Sequence, residues 1–281
     1  MSADVTVPPR AGAAGGEERA RGRWARRLRD AAPAVGVFVA VMALWEFSLA
    51  ALGVQQFLLP RPSVIFEALL AQQADLSRAV VYTSTEALGG LAVGCAMGVG
   101  AAFATARWAT AREGLLPVAI AANSIPIIAF APITNIWFGS ENPVSRMAIV
   151  ALMVFFPMMV NTVRGLTQVD PAALELMDAC AASNWQVLRK VRVPNALPYV
   201  FTALKIATTL SVIGAVVGEY FGGPRYALGI YITSEAYIFR YPEAWAAIVI
   251  ACALGIGFYC IVLALERVVL PWHASSRQAA G

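Results

Sequence analysis

Residues 166–219 read LTQVDPAALELMDACAASNWQVLRKVRVPNALPYVFTALKIATTLSVIGAVVGE, and this stretch decides the fold class. From Leu197 to Glu219 it is an apolar run broken inside by one basic residue, Lys205. At about 1.5 Å per residue, such a run crosses the roughly 30 Å hydrocarbon core of a bilayer. The part before it carries two helix starts. Asp170-Pro171 sets a capping acid ahead of a proline whose missing N–H is no loss at the first helical position. Ser183-Asn184-Trp185-Gln186 is a Ser-x-x-Gln capping box. The pattern predicts a helix from Ala172 to Ala179, a turn near Cys180 to Ala182, and a second helix stopped by Pro194 and Pro198. A polar helical hairpin, residues 166–196, therefore leads into a membrane span.

Outward from that stretch, six spans can be drawn: 33–53, 81–105, 114–138, 144–165, 197–219 and 245–269. The composition agrees, with 59% hydrophobic and 14% charged residues against roughly 45–50% and about 25% in soluble domains. The expected fold class is all-α, a polytopic membrane protein. With both termini and the hairpin on the cytoplasmic side, fifteen Lys and Arg fall in inner segments and five in outer ones, the bias by which basic residues set topology. Residues 1–32 are Ala-, Gly- and Arg-rich without apolar periodicity, and are read as a disordered cytoplasmic tail. A nucleic-acid module would instead interleave aromatics with its basic residues on a folded unit. The first apolar run is too long for the core of a cleavable signal peptide. Residues 33–80 hold the first span and an external interfacial helix around Val64 to Leu76, behind Leu59-Pro60-Arg61-Pro62-Ser63; 81–269 form the transmembrane core; 270–281 are a cytoplasmic tail. A short helix around Ala227 to Tyr237 is expected after the turn Gly222-Gly223-Pro224.

The residue inventory excludes much chemistry. The only histidine, His273, lies in the tail, so neither an HExxH zinc site nor a membrane Ser/His pair can form. Neither Lys190 nor Lys205 precedes Ser or Thr, so the phosphate loop GxxxxGK[ST] is absent and any nucleotide must bind a partner. Cys95, Cys180, Cys252 and Cys260 include no CxxC pair and read as small hydrophobes. Every Asp lies outside the spans, which disfavours an intramembrane aspartyl protease. A carrier or channel driven by an ion gradient is the alternative reading; it would place coupling acids at membrane depth, where only Glu46, Glu86 and Glu219 qualify, the last two near span ends.

Within the spans, Gly90, Gly94, Gly98 and Ala102 recur every four residues, a small-residue stripe that admits a close helix neighbour. Gly214 and Gly218 repeat the theme. Polar side chains at lipid depth avoid acyl chains, so Asn123, Ser124, Asn135, Asn161, Thr208, Thr209 and Ser211 are expected to point inward. Thr208, Thr209 and Ser211, on the span after the hairpin, are the better candidates for a solute path. Asn123 and Ser124 either line it or satisfy carbonyls freed by Pro126.

The hairpin residues Glu175-Leu176-Met177-Asp178-Ala179, Ala181-Ala182-Ser183 and Val193-Pro194, with Leu197-Pro198, resemble the EAA loop of bacterial ABC importer permeases of the binding-protein-dependent type. Leu44-Trp45-Glu46, Leu58-Leu59-Pro60-Arg61-Pro62-Ser63, Ser124-Ile125-Pro126, Ala131-Pro132, Trp137-Phe138-Gly139 and Gly218-Glu219 are similar to the nitrate/sulfonate/taurine-type branch, over roughly residues 40–270. The resemblance implies a type I importer fold in the bacterial cytoplasmic (inner) membrane, a second permease copy or paralogue, and an extracytoplasmic solute-binding protein. It also implies cytoplasmic ABC ATPase subunits that hold ATP and Mg, leaving this chain without cofactor or enzymatic activity. The implied solute is a small organic molecule or anion, nitrate-, sulfonate- or taurine-like, or a pyrimidine-type vitamin precursor. Leu174, Glu175, Met177, Asp178, Ala179, Ala181, Ala182 and Ser183 would couple to the ATPase, with Leu174, Met177 and Ala181 forming the docking face. A plainer reading of Glu175 and Asp178 is a solvated acidic face. The family usually has glycine where this chain has Ala181; should that turn need a positive φ, alanine costs on the order of 1 kcal/mol.

Overall fold

The computed structural model describes residues 14–56, 58–108, 114, 117 and 126–271. Among them every regular element is helical. The chain divides into two units, one ending at Val64 and the other beginning at Ile65.

In the first unit, α1 (Ala14–Ala51) contains a stretch, Ala32–Ala51, long and apolar enough to cross a membrane. The helix starts eighteen residues before that stretch, so the tail expected to be disordered up to residue 32 is helical from Ala14 onward. Alanine and arginine are both strong helix formers, a propensity that shows no apolar periodicity. Near the end of α1 the Glu46 carboxylate accepts the amide (3.0 Å) and hydroxyl (2.8 Å) of Ser63, satisfying a donor in the first turn of α2 (Pro62–Ala71).

The second unit is built around three long helices. The stripe at Gly90, Gly94 and Gly98 on α3 (Gln73–Arg107) lies against α5 (Pro143–Thr167). A methyl group on Gly90 would strike Val150 and the Met147 carbonyl; on Gly94 it would lie 2.6 Å from the Ala151 carbonyl, and on Gly98 2.8 Å from Met158. The pairs 90/150, 94/154 and 98/158 keep one offset of sixty residues, so the two helices run parallel with backbones close enough for dispersion to hold them in lipid. Against the other side of α5 runs α8 (Val193–Glu219), antiparallel: Gly214 faces Val150 and Met153, Gly218 faces Arg146 and Ile149, and Gly165 faces Ala196 and Tyr199. At the Gly165 end a buried apolar cluster of Ala102, Phe156, Met159, Val163, Leu166 and Ala196 closes the bundle. A short helix, α9 (Leu228–Tyr237), precedes α10 (Tyr241–Val269), which is tied to α8 by a Lys205–Glu266 ion pair of 2.9 Å.

Five helices among the described residues have spanning length and apolarity. Of the remaining expected span, 114–138, residues 115–116 and 118–125 lie outside the described residues; its described end is a 3-10 turn, Ile127–Phe130, followed by α4 (Ala131–Phe138). The hairpin helices are α6 (Pro171–Ala179) and α7 (Asn184–Val187). A π-helical turn, Leu188–Arg192, joins α7 to α8, so a continuous helical path runs from Asn184 to Glu219. Pro194 and Pro198 therefore do not stop the second helix. The π turn is wider by one residue, with Val193 N–H donating to the Leu188 carbonyl, and Pro194 then falls in the first turn of α8, where a missing N–H is tolerated.

Candidate functional site

The hairpin is shaped by capping bonds of its own, from side chains and backbone. Asp170 accepts the Ala172 amide at 3.0 Å and caps α6. At its other end, Ala182 N–H donates to the Met177 carbonyl (3.0 Å) and Ala181 N–H to that of Asp178 (2.9 Å), with Ala181 at φ +51°. This is a Schellman cap with alanine in the left-handed position that glycine fills most easily. Ser183 and Gln186 then close the capping box, the Gln186 side chain accepting the Ser183 amide at 2.8 Å and the Ser183 hydroxyl accepting the Gln186 amide at 3.4 Å.

Glu175, Asp178, Ala179, Ala181 and Ser183 are exposed, while Leu174, Met177 and Ala182 are half-buried. The apolar side chains most open to a partner are Leu176 and Trp185, 65% and 67% exposed, which helical spacing from Leu174 did not single out. A cavity of about 340 Å³ lies beside Trp185, walled by Phe103, Ala106, Asn184 and Leu188.

At the opposite end of α8 the structure assembles a cluster that sequence reasoning missed. Arg146, at the start of α5, is 0% exposed. Its Nε donates to Glu86 Oε1 at 2.6 Å, one terminal nitrogen donates to the Ser140 (2.5 Å) and Gly222 (3.1 Å) carbonyls, and the other donates to the Tyr82 hydroxyl at 3.0 Å. Glu219, also 0% exposed, accepts from Thr83 Oγ1 at 2.7 Å and from the Gly229 amide at 2.6 Å. Thr83 Oγ1 in turn accepts the Leu228 amide at 3.1 Å. A methyl on Gly229 would strike the Val216 carbonyl, so this position needs glycine for close approach of α9 to α8. Asn135 belongs to the same end: its amide donates to the Phe221 carbonyl at 3.0 Å, and Ser145 donates to its side-chain oxygen at 2.5 Å. One signal was available in the sequence, because Glu86 stands four residues before Gly90 and continues the stripe 86, 90, 94, 98, 102. Its partner lies sixty residues on, the same offset that relates the glycines to α5.

The expected path residues are not gathered at one surface. Thr208 and Ser211 are buried, and their hydroxyls donate within their own helix to the Lys205 and Thr208 carbonyls, both at 2.8 Å. Thr209 is exposed and opens onto a cavity of about 530 Å³ between α8 and α10, walled by Val212, Val216, Ile248, Cys252 and Ile256. Asn161 is half-buried and donates to the Pro157 carbonyl at 2.8 Å. Asn123 and Ser124 lie outside the described residues. Among the described residues no group of three or more His, Cys, Asp or Glu is placed to hold a metal ion.

Residues 90–271 match the family described as binding-protein-dependent transport system inner membrane component. The chain is 33% identical over 241 residues to the formylaminopyrimidine transport permease protein ThiX of Halalkalibacterium halodurans, covering 84% of this chain and 94% of that one. It is 32% identical to the riboflavin transport system permease protein RibX of Chloroflexus aurantiacus, covering 86% and 92%. The taurine transport system permease protein TauC of Escherichia coli is 25% identical over 91% of this chain and 94% of its own length. An amino acid ABC transporter of known structure shares the fold with a TM-score of 0.59 at 14% identity, over 72% of this chain and 97% of that one. The parallel α3–α5 pair, the capped hairpin running into α8 and these matches together place the chain in the binding-protein-dependent transport system inner membrane component family, as an ABC importer permease subunit.

Proposed function

We propose that this chain forms the translocation path for a ring-containing organic solute and takes its drive from a cytoplasmic ABC ATPase seated on the 166–196 hairpin. The carrying observation is the hairpin's outward face. Glu175, Asp178, Leu176 and Trp185 point away from the bundle while the helix bearing Trp185 runs unbroken into α8. An exposed apolar pair flanked by acids fits a groove on a partner, and a helix continuous with a span carries the partner's motion into the membrane. ATP and Mg sit in that ATPase, and this chain performs no covalent chemistry. The chain lies in the bacterial cytoplasmic membrane with both termini inside, as the basic-residue bias supports. An extracytoplasmic binding protein delivers the solute, and a second permease copy completes the path. Thr209 on α8 lines the path, to which Asn123 and Ser124 are assigned by sequence alone; buried Thr208 and Ser211 and half-buried Asn161 support the helices behind it.

Two observations favour a ring-containing solute over an anion. Two relatives above 30% identity are named for formylaminopyrimidine and riboflavin, whereas the taurine permease stands at 25%. Among the described residues Arg146 and Lys205 are both ion-paired, so neither is offered free to an anion. The test is ATP-driven uptake into liposomes holding this permease, its ATPase and its binding protein. Accumulation of a pyrimidine or isoalloxazine solute without accumulation of taurine or nitrate supports the reading. Uptake of the anions alone overturns the solute assignment, and solute accumulation by the permease without ATPase overturns the importer reading.

A further inference from the structure

The chain leaves the bundle for the hairpin at the end of α5 and returns at the start of α8. One side chain ties those two roots together. Asn195 Nδ2 donates to the Gly165 carbonyl at 2.8 Å and to the Gln168 carbonyl at 3.0 Å. Both acceptors belong to the last turn and cap of α5, where carbonyls lack intrahelical partners. Beside this bond Gly165 lets the next residue of α8 approach closely; a methyl there would lie 2.6 Å from Ala196 Cα.

The π turn just before Asn195 determines where that amide points. A regular α-helix advances roughly 100° per residue, so the extra residue held in Leu188–Arg192 sets the rotation of the hairpin relative to α8. In the observed register Asn195 meets α5 while Trp185, ten residues earlier, faces out.

We propose that Asn195 is a positioning residue for transport, stapling the two roots of the hairpin so that a push on the hairpin moves α5 and α8 as one body. Without the staple the hairpin shifts α8's root against α5's, and ATPase motion is spent in local deformation. Asn195 touches neither solute nor nucleotide and acts only through the hairpin. The inference rests on the reading of the hairpin as the ATPase's seat, and the experiment separates the two.

The experiment uses the full permease–ATPase complex with binding protein in liposomes, measuring ATPase retained per permease, ATP hydrolysed and solute moved per ATP. The variants are Asn195→Asp, of equal size but with acceptors where donors are needed, Asn195→Ala, and Asn195→Gln, which keeps the donor. Asp178→Lys reports on docking. For Asn195→Asp and Asn195→Ala, retained ATPase and hydrolysis are expected near wild type while solute per ATP falls about tenfold, the size expected from losing two hydrogen bonds in a coupling joint. Asn195→Gln is expected to restore part of the ratio. An unchanged ratio in Asn195→Asp and Asn195→Ala overturns the staple while leaving docking intact. Failure of all three variants to insert assigns Asn195 to folding alone and likewise overturns it. Full ATPase retention and uptake in Asp178→Lys instead sinks the docking reading.

Discussion

The two ends of α8 handle polar groups in opposite ways. Around Glu219, the side chains of Arg146, Glu86, Thr83 and Glu219 are fully buried, and each finds a partner within the chain. Around the hairpin, Glu175 and Asp178 stay in the open beside Leu176 and Trp185, and the hairpin's internal bonds are helix caps. Buried charges are tolerated only when paired and hydrogen-bonded, so the sealed end is committed to holding α3, α5, α8 and α9 in one arrangement. The open end leaves its binding groups unspent. Damage to the first should therefore appear as lost fold, and damage to the second as lost partnership.

The largest expected effect is at the sealed end. Arg146→Ala strands buried Glu86 without its cation and is expected to destabilise the permease by about 3–5 kcal/mol, read as loss of inserted protein and a lowered melting temperature in detergent. A melt within a degree of wild type would deny the cluster its structural role. Next is the packing stripe. Gly94→Val places a side chain against the Ala151 carbonyl and should cost about 1–3 kcal/mol, whereas Gly100→Val, with nothing within 4 Å, should cost little. Equal effects at the two positions would mean that close approach of α3 and α5 is not what holds them. The smallest effects belong to the hairpin turn. Ala181→Gly should stabilise it by about 1 kcal/mol by relieving the left-handed alanine. Ser183→Ala should weaken it by a similar amount, about 1 kcal/mol, through loss of the cap. Amide exchange of Cys180, Ala181 and Ala182, slowed in the first variant and quickened in the second, checks both.

Much of this was legible in the sequence because it is local. Asp170-Pro171 and Ser183-x-x-Gln186 name their helix starts with the atoms that cap them, and the stripe from Gly90 to Ala102 states where another backbone comes close. The hairpin could therefore be drawn before the fold was known. What escaped depends on partners far along the chain. Glu219 meets Thr83 across 136 residues, and no local pattern connects them. Leu176 rather than Leu174 is the exposed leucine of α6, which the spacing of its leucines does not show. Polarity and a place on the span after the hairpin point to Thr208 and Ser211 as path residues, yet a hydroxyl one turn after a carbonyl can satisfy itself on its own helix, as both do. Pro194 looked like a stop because proline breaks an α-helix; a π turn placed ahead of it removes the conflict.

The division of labour between the ends is tested most directly by replacing the exposed leucine of the hairpin. Leu176→Lys permease, purified from membranes that also carry the ATPase, is expected to melt within about 0.5 kcal/mol of wild type, since the side chain is 65% exposed. ATPase retained per permease should fall about tenfold or more, as when an apolar anchor at an interface is replaced by a charge. Full retention of the ATPase together with undiminished uptake would contradict the account.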